Sequence, residues 1–116
     1  MYKGQIMDEY EVLWSRESIY DAADIEDYIS GEFGEERAEQ FNNDIDLEVG
    51  RLGNTHKLYT GTGIYYRGFL VYKKPFSPSI IFYTVDESLK RVYVLRILRH
   101  EMDWQTMLRE TLFYTF

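Results

Sequence analysis

The stretch RVYVLRILRH, from Arg91 to His100, carries cationic and titratable side chains in an otherwise apolar run. Its β-branched, aromatic and aliphatic residues predict a buried strand. Burying an arginine without a partner costs several kcal/mol. Arg96 must therefore pair with a carboxylate of the chain, or this strand must border a site that receives an anionic partner. Arg99 and His100 end the run, and an imidazole is a side chain that could act as a general acid or base.

A further candidate, Arg67, lies in the stretch IYYRGFLVYK, residues 64–73, which the apolar pattern predicts to be one continuous strand. On such a strand Arg67 shares a face with Tyr65, Phe69 and Val71. Its guanidinium could bind a phosphate or a carboxylate of a partner protein, or it could pair with a carboxylate of this chain. The sequence leaves both roles open.

Three other polar or aromatic candidates are given structural roles. Lys73 and Lys74 precede the prolines of KPFSPS and are predicted to be solvated loop charges. Trp104 is predicted to anchor a C-terminal helix.

Composition excludes several classes of protein. The 116 residues suit a single domain, residues 1–116, and the absence of cysteine excludes disulfides, thiolate catalysis and cysteine-ligated zinc. No stretch approaches the roughly 18 to 20 apolar residues that a membrane span needs. The N-terminus, MYKGQIMDEY, lacks the apolar region of a signal peptide, so we expect cytoplasmic residence. We also expect no bound metal ion and no cofactor.

The net charge of −7 is distributed unevenly. Residues 1–53 hold four Lys/Arg and fifteen Asp/Glu, whereas residues 54–116 hold nine Lys/Arg and five Asp/Glu. The first part is therefore strongly acidic and the second part is basic. Local potential, rather than the sum, steers a charged partner.

Hydrophobic periodicity predicts the elements that position these residues. Residues 9–15 alternate as a strand, Ser15 is a helix N-cap, and a helix follows to about Gly31. On that helix Ile19, Ala22, Ile25 and Ile29 share one side, and Asp21, Asp24 and Asp27 lie opposite. A second helix begins near Gly34 and ends at Gly53, with Ala38, Phe41, Ile45, Val49 and Leu52 as its apolar stripe. The short link predicts an antiparallel helical hairpin.

The second half of the chain predicts a meander. Residues 53–63 are predicted to be a loop, followed by strands at 64–73, at SIIFYTVD and at RVYVLRILRH, and by a terminal helix that Asp103 caps. The order β-α-α-β-β-β-α is an α+β fold in which the hairpin packs on one face of a small, mainly antiparallel sheet. Acidic residues then cover the hairpin, and the sheet face away from it is the predicted working surface.

Two blocks of the sequence resemble the RelE/ParE toxins of bacterial type II toxin–antitoxin modules. The first, YEVLWSRESIYDAADIEDYISGEFGEERAEQF, is similar to the family's opening strand, its Trp-Ser pair and its two helices. The second, IIFYTVDESLKRVYVLRILRHEMDW, is similar to its last two strands and the segment that follows them. The resemblance covers about residues 9–110 and implies the RelE/ParE-like fold.

The resemblance also implies a function and partners. The chain would be a toxin neutralised by a cognate antitoxin, and it could form a homo-oligomer or a toxin–antitoxin hetero-oligomer. RelE-like members cut mRNA on the ribosome without a metal, and ParE-like members poison DNA gyrase. His100 resembles a histidine of some RelE-like nucleases, and Arg96 matches the arginine of the family's R-I-L motif. The implied binding residues are Arg67, Arg96, Arg99 and His100, with His100 and Arg67 catalytic in the nuclease alternative.

This sequence departs from the nuclease pattern at two places. The strand stretch Ser79–Tyr83 lacks the arginine that nuclease members commonly carry there, and Glu101 and Met102 replace two basic residues before Asp103. Losing one cation at a phosphoryl transition state typically slows the reaction about 10²- to 10³-fold. A ParE-like growth inhibitor that binds a target such as gyrase is therefore the favoured interpretation. A RelE-like mRNA endoribonuclease and a non-toxic, antitoxin-binding relative are the alternatives.

Overall fold

The computed structural model describes residues 9–116. Strand β1 (Glu11–Trp14) leads into helices α1 (Arg16–Phe33) and α2 (Glu35–Gly50), a short helix α3 (Leu52–Thr55) and a 3₁₀ turn, His56–Leu58. Strands β2 (Thr60–Tyr66), β3 (Phe69–Phe76), β4 (Ser79–Asp86) and β5 (Arg91–Arg99) follow, and helix α4 (Trp104–Glu110) precedes the C-terminal tail, residues 111–116. The sheet order is β1-β5-β4-β3-β2, with β1 parallel to β5 and the other neighbours antiparallel. The predicted α+β class and the helical hairpin are confirmed.

Local sequence accounts for the helical hairpin. The Ser15 hydroxyl accepts a hydrogen bond from the backbone N–H of Ser18 at 2.9 Å, as an N-cap does. Gly34, with φ of 96°, separates the two helices in a backbone conformation that side chains disfavour. The predicted stripe of α2 is buried at every position, from Ala38 through Leu52.

Two details of the helix prediction are wrong. Helix α2 ends at Gly50, and Gly53 lies inside α3, where an added Cβ would sit 2.8 Å from the backbone oxygen of Tyr10. Gly53 therefore permits close approach of the chain before β1 rather than terminating α2. On α1, Asp21 is buried and Ile19 is 52% exposed, the reverse of the predicted pattern.

The predicted strand 64–73 is in fact two strands. Arg67 and Gly68 form the two-residue turn between β2 and β3, with φ of 52° and 87°, and Tyr66 pairs with Phe69. Positive φ at both central residues is the backbone of a tight hairpin turn. Strand β2 also takes in Thr60–Gly63, which the sequence predicted to be loop.

Strand β3 continues through Pro75, where the sequence predicted a turn. Pro75 pairs with Ile80 of β4, while the pairing of β3 with β2 reaches only to Lys73. Among the described residues no strand pairs with β3 on its β2 side beyond Lys73, so Pro75 lies at a sheet edge, where a residue without an N–H is tolerated.

Two hydrophobic clusters lie on opposite faces of the sheet. The first joins α1 and α2 to Ile81, Tyr83, Val92, Val94 and Ile97. The second joins Ile64, Val71, Ile80, Phe82, Leu95 and Leu98 to Leu108 of α4 and Tyr114 of the tail. The face away from the hairpin, which the sequence predicted to be the working surface, is thus covered in part by α4 and the tail.

A register shift in β5 decides which face each residue of the last strand meets. Arg96 pairs with Phe82 and Val94 with Tyr83, which leaves Leu95 as the extra residue of a bulge. Leu98 consequently lies on the face of the second cluster, whereas Val92 and Val94 belong to the first. An unbroken strand would place Arg96 on one face with Val92, Val94 and Leu98, and the bulge prevents this arrangement.

Candidate functional site

Arg96 is held inside the molecule by Asp21. Its Nε and Nη2 atoms donate to the two carboxylate oxygens of Asp21 at 2.7 and 2.9 Å, and the backbone N–H of Ile97 donates to the same carboxylate at 3.0 Å. These side-chain hydrogen bonds raise the pKa of the guanidinium. Both side chains are largely buried, at 16% and 10% exposure. Of the two alternatives for Arg96, the structure contains the ion pair with a helix carboxylate.

Asp21 reaches Arg96 because of the way β1 ends. Strand β1 pairs with β5 only as far as Trp14 and Val94, and α1 then covers the edge of β5. The Ser15 hydroxyl donates to the backbone oxygen of Leu95 at 2.8 Å and fixes that junction. The first turns of α1 therefore stand beside the bulge, with a carboxylate facing the arginine.

Arg99 is engaged with residues of its own chain. Its guanidinium carbon lies 4.0 Å from the centre of the Tyr28 ring, in cation–π contact, and its Nη1 lies 2.8 Å from Glu101. The Arg99 side chain is 27% exposed. It lies at the edge of the sheet against α1, away from the face of the second cluster.

His100 is exposed at the β3–β4 turn. Its Nε2 lies 3.2 Å from the hydroxyl of Ser77, and its backbone N–H donates to the oxygen of Pro78 at 3.2 Å. The contact with Ser77 holds the ring beside the turn.

Arg67 lies at the opposite end of the sheet from His100. The eight residues of β3 separate the Arg67 turn from the Ser77 turn, which corresponds to roughly 26 Å at about 3.3 Å per residue. The Arg67 guanidinium lies 5.5 Å from the centre of the Tyr66 ring. Arg67 is therefore remote from Arg99 and His100, and the structure does not bring the three together as one cationic site.

The predictions for the two lysines and the tryptophan had different outcomes. Lys74 is 3% exposed, and its ammonium contacts the carboxylate of Glu48 at 2.9 Å and its backbone oxygen at 2.8 Å. It is therefore not a solvated loop charge. The Lys73 ammonium lies 5.2 Å from the Trp104 ring, and that ring packs on Phe82 at 5.1 Å. Trp104 is the helix anchor that the sequence predicted.

The C-terminal tail closes an aromatic cavity on the second face. Tyr114 packs edge-on against Tyr66, with ring centres 4.8 Å apart, and Phe116 packs edge-on against Tyr93 at 5.0 Å. Burial raises the pKa of the Tyr114 hydroxyl. The cavity, about 260 Å³, has these rings together with Phe69 as its walls and Arg67 at its rim.

A groove between α1 and α2 is the feature that the sequence did not predict. It has a volume of about 450 Å³ and is lined by Trp14, Ile19, Ala22, Ala23, Glu26, Asn42, Ile45 and Asp46. The adjacent small residues Ala22 and Ala23 were a usable signal, because short side chains on one helix leave room beside its neighbour. The exposed Ile19 is a large apolar side chain on this open surface.

Neither a metal-binding cluster nor a membrane-spanning helix occurs among the described residues. Residues 9–116 include no group of three or more histidine, aspartate or glutamate side chains placed to hold a metal ion. No helix in this range combines the length and hydropathy that crossing a bilayer requires.

Comparisons with known proteins bear on the family. The profile described as "ParE toxin of type II toxin-antitoxin system, parDE" matches residues 12–104, most of the chain. No curated protein matches the sequence. A solved structure described as "Chromosomal ParDE TA system from P. aeruginosa" is similar in fold, with a TM-score of 0.66 and 24% identity over 82% of this chain and 100% of that one. The chain belongs to the ParE toxin family.

Proposed function

We propose that this chain is a single-domain toxin that stops growth by binding a target protein, with DNA gyrase as the target, and that a cognate antitoxin neutralises it in the cytoplasm. Membership of the ParE family supports the toxin role. The structurally similar protein from P. aeruginosa is part of a ParDE toxin–antitoxin system, which supports an antitoxin partner for this chain.

The separation of Arg67 from Arg99 and His100 is the observation that favours binding over cleavage. Cutting an RNA strand without a metal requires an acid, a base and cations gathered around one phosphate, with proton-transferring groups within about 3 Å of the reacting atoms. Arg67 is separated from His100 by the length of strand β3. The guanidinium of Arg96 is already engaged in the ion pair with Asp21. Arg67 and His100, the two catalytic residues of the nuclease alternative, are therefore too far apart to act on one phosphate.

The proposed binding surfaces follow from what is exposed. Arg67 at the β2–β3 turn and His100 at the β3–β4 turn are separate contact points for a protein target. Arg99, at the edge of the sheet, retains a partly exposed guanidinium. Arg96 stabilises the fold through Asp21 and is not among the contacts that we propose.

Expression of the chain should arrest growth, and the variant His100→Gln should arrest it as well. A binding toxin transfers no proton through His100, and the glutamine amide can still form a hydrogen bond to the target at this contact, so we expect the dose needed for arrest to change by less than about threefold. A nuclease that lost its acid or base would lose about 10²- to 10⁴-fold in rate. Growth curves at graded induction, with circular dichroism of the purified variant, provide the measurement.

Co-expression of the protein encoded in the neighbouring reading frame is the control, and it should restore growth. Loss of arrest in a folded His100→Gln protein, together with cut transcripts in cells that express the parent chain, would overturn the proposal in favour of the endoribonuclease. Continued growth at strong induction of the parent chain would favour the non-toxic relative.

A further inference from the structure

We propose that the aromatic cavity beside the C-terminal tail binds a free aromatic α-amino acid. The ring of the ligand lies inside the cavity, its carboxylate meets the guanidinium of Arg67, and its ammonium group meets the carboxylate of Asp86. Binding of such a ligand goes beyond the proposed toxin function and does not depend on it.

The walls of the cavity suit one aromatic ring. Tyr66 and Tyr114 form one edge-on pair of rings, and Tyr93 and Phe116 form another. A ligand ring can extend these contacts, because aromatic rings favour edge-to-face and offset arrangements. The volume of about 260 Å³ lies just below the roughly 300 to 1,000 Å³ of pockets for drug-sized ligands. The cavity therefore accommodates a single ring system.

A polar group without a partner lies among these aromatic side chains. Thr84 lines the cavity and is 3% exposed, and its hydroxyl forms no hydrogen bond to any residue in the range 9–116. Buried hydroxyl groups normally have a partner. The phenolic hydroxyl of a tyrosine ligand both donates and accepts, so it can supply the missing hydrogen bond.

Two side chains of opposite charge also line the cavity. Arg67 is exposed at the β2–β3 turn, and Asp86 is half-buried at the end of β4. In the described part of the chain neither forms an ion pair, either with the other or with a third residue. Asp86 caps the following turn through Oδ1 alone, which accepts from Ser88 and Leu89. Its Oδ2 is therefore available to a ligand.

A zwitterion with an aromatic side chain complements all these features. A guanidinium binds a carboxylate through paired N–H donors, and a carboxylate oxygen accepts from an ammonium group. A ligand with an anion alone would face the like charge of Asp86, and a ligand with a cation alone would face Arg67.

The C-terminal tail favours a free amino acid over a segment of another protein. The backbone N–H of Arg16 donates to the oxygen of Thr115 at 2.7 Å, and the N–H of Thr115 donates to Glu17 at 3.0 Å. The N–H of Tyr114 donates to the Tyr66 hydroxyl at 3.1 Å. These bonds hold the tail along the cavity, where it leaves room for a small ligand and obstructs a longer chain.

Four ligands, titrated into the full chain and followed by ¹⁵N–¹H NMR, test the chemistry. L-Phenylalanine should bind with a dissociation constant between about 20 µM and 2 mM, the range expected of a ligand of this size. 3-Phenylpropanoate lacks the ammonium group and phenethylamine lacks the carboxylate, so each should bind roughly fivefold more weakly. L-Leucine lacks the ring and should bind at least about tenfold more weakly.

Two variants assign each charged group of the ligand to its partner. Arg67→Gln should weaken binding of L-phenylalanine and 3-phenylpropanoate about fivefold and leave phenethylamine no weaker. Asp86→Asn keeps an oxygen to cap the turn; it should weaken L-phenylalanine and phenethylamine and leave 3-phenylpropanoate no weaker. The control, Arg37→Gln, removes an exposed charge from α2 and should bind like the parent chain. Circular dichroism checks that each variant is folded.

A third variant and the amide shifts locate the ring. L-Tyrosine should bind roughly threefold more tightly than L-phenylalanine by its hydrogen bond to Thr84, and Thr84→Val should abolish this preference. The amide signals of Thr84 and Tyr114 should shift on titration. Those of Ala22 and Ala23, in the groove between α1 and α2, should not.

Equal binding of L-phenylalanine and L-leucine, or variant effects that are the same for every ligand, would overturn the inference. Shifts confined to Ala22 and Ala23 would overturn it by placing the ligand in the other groove, and a tyrosine preference that survives Thr84→Val would do so by removing the ring from this cavity. Tighter binding of N-acetyl-L-phenylalanine than of L-phenylalanine would overturn it by making the carboxyl-terminal residue of a protein the occupant.

Discussion

At the scale of single residues, most of the candidate cationic side chains contact other residues of the same chain. Arg96 is tied to Asp21, Arg99 to Tyr28 and Glu101, and Lys74 to Glu48. The pairing of Arg96 was foreseeable, because an arginine inside an apolar strand needs a carboxylate. The sequence could not identify Asp21 as that carboxylate, because the helical wheel placed Asp21 on the solvent side of α1. The bulge at Leu95 also has no recognisable sequence pattern.

Asp21→Asn should destabilise the chain by about 3 to 5 kcal/mol, since it leaves the guanidinium of Arg96 largely buried without its counter-charge. Urea unfolding followed by circular dichroism measures this change. The control is Glu11→Gln, which breaks the exposed pair between Glu11 and Arg91 and should cost less than about 1 kcal/mol. Similar losses in both variants would contradict the structural role assigned to Asp21.

The position of Arg67 shows why its role could not be predicted from the pattern. The residues on both sides of Arg67 and Gly68 have high strand propensity, and only Gly68 belongs to the residue types that mark a tight hairpin turn. The sequence therefore predicts one strand where the chain makes two. The prediction placed Arg67 in the middle of a strand, whereas the turn places it at the end of the sheet, away from His100.

At the scale of elements, the periodic segments were predictable and their joints were not. The apolar stripe of α2 and the strands β4 and β5 follow directly from hydrophobic spacing. The extension of β3 through Pro75 and the coverage of the second face by α4 and the tail depend on which strands are neighbours. These features are set by the tertiary structure, which the strand and helix propensities of single residues do not predict.

The pair formed by Glu48 and Lys74 links α2 to β3 and predicts a pH dependence. The hydrogen bond from the Lys74 ammonium holds the pKa of Glu48 below its usual range. A carboxyl group whose pKa is lowered by folding stabilises the fold above its unfolded pKa of about 4.3 and loses that contribution as the pH falls. Glu48→Gln should therefore lower the urea midpoint at pH 7, and the difference from the parent chain should shrink by pH 3. An equal difference at both pH values would contradict this link.

The tail should stabilise the fold through Tyr114 and not through its neighbour. Tyr114 is 9% exposed against Tyr66, whereas Phe113 is 63% exposed. Tyr114→Ala should cost about 2 to 4 kcal/mol by emptying a packed aromatic position, and Phe113→Ala should cost less than about 0.5 kcal/mol. Thermal unfolding of the two purified variants measures this contrast. Equal stability of the two would mean that the tail does not pack on the sheet.

At the scale of the whole molecule, the charge asymmetry predicted from the sequence is present, but its consequence differs from the one expected. The basic residues of the sheet are spread over its two ends and its edges, so they do not form a single cationic surface. Glu26 of α1 and Asp46 of α2 border the groove between the two helices, so part of the acidic charge lies beside an apolar surface. Family membership and the dispersal of the candidate catalytic residues together favour a toxin that acts by contact.

The most direct test of that claim is to assay one preparation of the purified chain for both activities of the superfamily. The account predicts that stoichiometric chain inhibits DNA supercoiling by purified gyrase while mRNA in a translating extract remains intact by primer extension. Defined cuts in ribosome-bound mRNA, with supercoiling unaffected at large molar excess of the chain, would contradict it.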